Sequence, residues 1–138
     1  MPTEIRPELS KKNKYWLPKH RYYELKHFVM QYPDWKEILD TIEGRANTKL
    51  LLDWIKSSET PNPVHRAYER REYYRNNIDI CDKAAKETDP VIGPHILEAV
   101  IAGDSFDKAR ARLDIPCGKD MYYELYRKFF WLLDAARR

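Results

Sequence analysis

What most constrains this chain is where its breakers fall. The nine prolines and four glycines of the 138-residue sequence lie mainly between stretches in which apolar residues recur at three and four residues, and seldom inside them. That recurrence marks amphipathic helices, so the spacing predicts an all-α chain. The expected architecture is a small helical bundle with a long central helix and a C-terminal three-helix helix-turn-helix unit.

Residues 1–17, with Pro2, Pro7 and several lysines, read as an irregular basic arm whose Tyr15, Trp16 and Leu17 dock on the body. Residues 18–88 read as a helical N-terminal region. After Pro18, the residues Tyr22, Leu25, Phe28, Val29 and Tyr32 share one helix face, and Pro33 is expected to end that helix. Asp34 with Glu37 three residues later has the capping-box pattern, followed by an apolar stripe of Trp35, Ile38, Leu39 and Ile42 up to Gly44. The run Leu50, Leu51, Leu52, Trp54, Ile55 fits a helix or a buried strand, with helix preferred, and Ser57–Pro63 fits a turn or linker. From Pro63 a long helix is expected to about Lys86, with Val64, Ala67, Arg71, Tyr74, Ile78, Cys81 and Ala85 on one side.

Residues 89–138 read as the helix-turn-helix unit. Its first helix carries Ile92, Ile96, Leu97, Val100 and Ile101 until Gly103, with a start delayed by Gly93 and Pro94. A short middle helix, capped by Asp104 or Ser105, buries Phe106, Ala109 and Leu113. Asp114, Ile115, Pro116, Cys117 and Gly118 make a turn, and a last helix of about nineteen residues starts at Lys119. Its core side is expected to hold Met121 or Tyr122, Leu125, Phe129, Leu132 and Leu133.

Composition excludes several classes. No run approaches the ~20 apolar residues that span a bilayer. The N-terminus MPTEIRPEL lacks the apolar core of a signal peptide, and Cys81 and Cys117 stand 36 residues apart without a companion at metal or disulfide spacing. A cytoplasmic protein with free thiols is the expectation. The glycines stand singly, so there is no phosphate-cradling loop, no dinucleotide fingerprint and no nucleophile elbow. Glu24 and His27 form an E-x-x-H pair, but a di-iron bundle needs a second copy, which the sequence lacks. Cys117, in a turn before a helix N-terminus, has no resolving partner for a redox role. No enzyme, metal site, cofactor or small-molecule substrate is expected.

The formal net charge of +3 says little, but its distribution says more. Lys11, Lys12, Lys14, Lys19 and Arg21 fall within eleven residues that hold no carboxylate, a stretch suited to phosphate contacts from the arm or to a solvated tail. Residues 89–138 balance eight basic against eight acidic residues, so any nucleic-acid binding there depends on placement. Three helices with a short middle one and a tight turn before the last match the unit whose last helix enters the DNA major groove. Lys119, Tyr123, Tyr126 and Arg127 are expected to point away from the core, with Lys108, Arg110 and Arg112 on the preceding helix along the sugar-phosphate backbone. Asp107, Asp114, Asp120 and Glu124 lie close by and would repel phosphate. Tyr22, Tyr23, Tyr73, Tyr74, Tyr122, Tyr123, Tyr126 and Trp131 suit stacking surfaces for single strands or anchors for a protein partner, but the preferred reading is that they complete the edges of a small helical core.

The segment Leu113-Asp-Ile-Pro-Cys-Gly-Lys-Asp-Met-Tyr-Tyr-Glu-Leu-Tyr-Arg-Lys-Phe-Phe-Trp-Leu-Leu133, after Gly103-Asp-Ser-Phe-Asp-Lys108, resembles the C-terminal helix-turn-helix of phage and prophage transcriptional regulators of the RinA and ArpU late-gene activator type, themselves similar to the promoter-reading region of sigma factors. Lys14-Tyr-Trp-Leu-Pro-Lys-His-Arg-Tyr-Tyr-Glu-Leu25 with Gln31-Tyr-Pro-Asp-Trp35 resembles the start of small prophage proteins of clostridial type. The resemblance implies a recognition helix carrying Lys119, Tyr123 and Arg127 and a supporting helix carrying Lys108, Arg110 and Arg112. Asp114 stands where many such turns have glycine, and Arg110 replaces the usual small residue; an aspartate also adopts the left-handed conformation. The expected function is sequence-specific duplex DNA binding in transcription regulation, with RNA polymerase or a second copy as further partners and no membrane. The alternative is a helical protein-interaction or assembly module such as a phage DNA-packaging recognition subunit.

Overall fold

The computed structural model describes residues 13–41 and 63–138, with side chains from Glu69 onward in the second stretch. These residues form six α-helices and no strand: α1 (Lys19–Met30), α2 (Tyr32–Leu39), α3 (Pro63–Thr88), α4 (Ile92–Ala102), α5 (Phe106–Leu113) and α6 (Lys119–Ala136). The all-α fold is as the spacing predicts. The readings at Ile42–Gly44, at 50–55, at 57–62 and for the side chains of Val64 and Ala67 fall outside the described residues.

The chain divides into two compact units, one of residues up to Gln31 with Ile80–Arg138, the other Tyr32–Asp79. The second unit holds α2 and the first part of α3. Pro33 does not terminate α1 but sits in the first turn of α2, where a missing N–H costs nothing. Asp34 is therefore no N-cap; it lies inside that first turn, where its charge favours the helix dipole. α1 stops one step earlier, at Met30, with the Gln31 N–H bonding back to Phe28. On α3, Arg70 donates to the Tyr74 hydroxyl at 3.1 Å.

The first unit joins α1 to the C-terminal helices, so residues 89–138 do not hold their core alone. α1 packs on α4 and α6, and α4 also packs on α5 and α6. Tyr22, Leu25, Phe28 and Val29 of α1 are buried, as their shared face predicts. They meet a buried row on α6 of Tyr122, Tyr126, Phe129, Phe130 and Leu133. Leu125 and Leu132 are only half-buried and Met121 is exposed, because α1 occupies the side of α6 that carries Tyr126 and Phe130. Rings connect the helices: Phe106 of α5 lies 4.9 Å from Tyr122 and Tyr22 of α1 meets Phe130 edge-on at 5.0 Å, while Tyr126 and Phe130, 5.0 Å apart, stack along α6 itself.

Charges close the far end of this seam. Arg21 on α1 donates to Asp134 at 2.6 Å, and Arg138 donates to the other oxygen of the same buried carboxylate at 3.0 Å. Burial alone would raise the Asp134 pKa, but the hydrogen bonds from Arg21 and Arg138 outweigh it and hold the group below the ordinary carboxylate range. The Arg137 guanidinium lies 3.7 Å from the centre of the Phe28 ring, a further tie to α1.

α4 starts at Ile92 without delay. Asp89 accepts the N–H groups of Val91 and Ile92 at 2.8 Å each, and Pro94 falls in the first turn. Gly93 is required by space: a Cβ there would stand 1.7 Å from the Ala85 carbonyl oxygen of α3, inside any tolerable contact. Gly93→Ala should destabilise the fold by at least about 2 kcal/mol in urea denaturation, since backbone must move. Gly118→Ser, whose Cβ meets nothing within 4 Å and whose hydroxyl suits an N-cap, should be neutral or better. Equal stability of the two variants would contradict the close approach of α3 and α4.

Because the folded Asp134 pKa is depressed, its contribution is fully present above the unfolded value of about 3.9 and fades as pH falls through the folded one. Asp134→Asn should cost about 1.5–2 kcal/mol at neutral pH, the scale of a hydrogen bond to a charged group, because Arg21 keeps Glu24 and Arg138 keeps solvent. The gap between wild type and variant should narrow on acidification below about pH 4, followed by denaturant melts at each pH. A gap that widens instead would contradict the clamp.

Candidate nucleic-acid interface

The α5–α6 pair is shaped by local chemistry at each joint. Gly103 ends α4 in the left-handed conformation at φ 72°. Ser105 then caps α5, its Oγ accepting the Lys108 N–H at 3.4 Å. α5 ends on Asp114, which adopts the left-handed conformation at φ 52° as the Asp-for-Gly departure allows. Ile115 is buried and pins the turn to the core. Gly118 starts α6 without a side-chain cap bond, so the first-turn N–H groups are not taken up by a capping side chain.

Phe106 sets α5 against α6, contacting the Tyr122 ring and standing edge-on to Tyr123 at 6.1 Å. That contact leaves Tyr123 half-buried at the edge of the pair. Lys119 is exposed, its Nζ 5.7 Å from the Tyr123 ring centre. Lys108 and Arg110 are exposed on α5. Arg112 is exposed too, but its guanidinium reaches back to Asp104 at 2.9 Å. Arg127 is half-buried, 3.8 Å from Glu124.

Two expected contact residues are placed otherwise. Tyr126 does not point outward: it is 5% exposed, and its hydroxyl is 2.8 Å from that of Tyr22. Its i+4 relation to Tyr122 puts it on the buried row once α1 is present to cover that side. Arg21 is no free arm cation, because Asp134 and Glu24 hold it at 2.6 and 2.7 Å. Of the other arm cations, Lys14 and Lys19 are exposed, while Lys11 and Lys12 lie outside the described residues.

On the outer side of α6 the sequence reading missed the exposure of Met121, which it offered for the core, while Trp131 was among the rings read as candidate partner anchors. Met121 and Trp131 are 53% and 42% exposed, and they share that side with Asp120 and Glu124. The available signal was helical spacing, since Met121 lies three residues before Glu124 and Trp131 seven after it. Lys128 is also engaged: its Nζ donates to the Thr88 carbonyl at the end of α3, at 3.1 Å. The outer side of α6 is thus mixed in character, and free cationic groups gather at its start and on α5.

Other chemistry-bearing residues do not assemble. Glu24 pairs with Arg21. Cys81 is buried, its pKa pushed up to about 12 by burial, and burial also raises that of the half-buried Cys117. Among the described residues no cluster of three His, Cys, Asp or Glu side chains is arranged to hold a metal ion, and no helix is long and apolar enough to cross a membrane. No protein-family model matches the chain, and neither curated proteins nor solved structures give a significant match.

Proposed function

We propose that this chain is a non-catalytic duplex-DNA-binding protein of the phage or prophage regulatory type, with α6 entering the major groove by its N-terminal turns. The observation that carries the reading is the exposed start of α6, with Lys119 free beside Tyr123 and the exposed Lys108 and Arg110 on the adjoining α5. Recognition helices touch base edges with their first turns, and the preceding helix crosses the phosphates. Lys119 and Tyr123 supply donors for base edges and phosphate, Lys108 and Arg110 supply phosphate contacts, and the α6 N-terminus favours anions. RNA polymerase or a second copy would be the further partner of such a regulator.

A second reading has its own observation. Met121 and Trp131 on α6 and Val91 before α4 are large apolar groups left exposed, residues of the kind that anchor protein contacts, as in an assembly or DNA-packaging recognition subunit. Salt separates the two. Affinity for random duplex should fall steeply as salt rises, and Lys119→Ala with Lys108→Ala should lower the slope of log K against log salt by about 1.8, two phosphates' worth. An affinity for duplex without salt dependence, or a double variant with an unchanged slope, would overturn the DNA reading in favour of protein contact.

A further inference from the structure

The segment before α1 takes a defined path across α6. Leu17, 3% exposed, anchors it to the core. Upstream the chain folds into a tight turn, with the Trp16 N–H donating to the Asn13 carbonyl at 3.0 Å and the Tyr15 N–H to Asn13 Oδ1 at 2.8 Å. From this turn the Tyr15 ring reaches Trp131, centroids 5.6 Å apart, and Asn13 Nδ2 donates to Glu124 Oε2 at 3.4 Å. Glu124 and Trp131 are two helical turns apart on one side of α6, so the segment lies over the middle of that helix on its solvent side. Both contacts fall beyond Tyr123.

This path limits how a duplex meets α6. The middle of the helix carries a second layer of chain, so only the turns up to Tyr123 are left to enter a groove, and the segment stands at the groove's rim, where the phosphates run. Its chemistry suits that place. Lys14 is exposed, with its Nζ 4.9 Å from the Tyr15 ring centre. No carboxylate occurs between Lys11 and Arg21, and the carboxylate nearest the segment, Glu124, is engaged by the Asn13 amide at 3.4 Å and by Arg127 at 3.8 Å.

We propose that Asn13–Leu17 is a second phosphate clamp for duplex DNA, with Lys14 as the contact and the Tyr15–Trp131 ring pair as the device that holds it beside α6. The proposal rests on the groove-reading assignment of α6, and separate variants test the two.

The experiment measures binding of the full-length chain to a labelled random duplex across salt concentrations, with circular dichroism to confirm helical content. Lys14→Ala should lower the salt slope by about 0.9, which shrinks the loss of affinity between about 50 and 200 mM salt roughly threefold. Tyr15→Ala and Trp131→Ala keep every charge yet should each weaken low-salt binding about threefold, the worth of one misplaced phosphate contact. A mere polycationic tail would respond to Lys14→Ala and ignore the ring variants. The clamp is overturned if Tyr15→Ala and Trp131→Ala both bind like wild type, or if Lys14→Ala leaves the slope unchanged. Should those variants be silent while Lys108 and Lys119 still matter, the clamp alone fails; should wild type not bind duplex, clamp and groove reading fail together.

Discussion

The aromatic seam between α1 and α6 is the contact on which the remaining geometry depends. Tyr22 inserts against Phe130 and shares a hydroxyl contact with Tyr126, while Phe106 closes on Tyr122 from α5. Rings of this size bury large areas and hold preferred tilts, so they fix the rotation of α6 about its own axis as well as its distance from α1. That rotation decides which residues of α6 meet solvent. With Tyr122, Tyr126, Phe129, Phe130 and Leu133 committed inward, Asp120, Met121 and Trp131 are turned out, and Lys119 and Tyr123 flank the entry of the helix.

Electrostatics then divides the cations into structural and available groups. Arg21 and Arg138 hold the buried Asp134, Arg112 returns to Asp104, and Lys128 closes the end of α3. Groups held this way are poor candidates for phosphate, because leaving their partners uncovers a carboxylate or a carbonyl. Lys14, Lys108, Arg110 and Lys119 are exposed and are not held by a carboxylate or carbonyl in this way. The mild net charge of the chain hides this division, since a protein's affinity for a polyanion follows local placement more than a global sum.

Helix positions were legible in the sequence because three-and-four spacing and the breakers at Gly103, Asp114 and Gly118 act locally. Ser105 as the cap and Asp114 in the left-handed turn follow from the same local chemistry. What local pattern could not carry was the partner of each face. Tyr126 stands three residues from Tyr123 and four from Tyr122, so local spacing allies it with either side, and only the arrival of α1, over 100 residues earlier in the chain, buries it. Asp134 likewise carries no local signal of its burial, which depends on Arg21 reaching it from 113 positions away. Pro33 misled in the opposite direction: a proline ends one helix and opens the next with equal ease, and the Gln31 cap decided between them.

If α6 enters a groove, its first turns are the contact, and amide hydrogen exchange with and without duplex measures them directly. Bound DNA should slow exchange at Lys119–Tyr123, whose first N–H groups have no partners within the helix, with a smaller effect along α5. Protection that appears only on α2 or the first part of α3, with α6 unaltered at saturating duplex, would contradict α6 as the groove-entering helix.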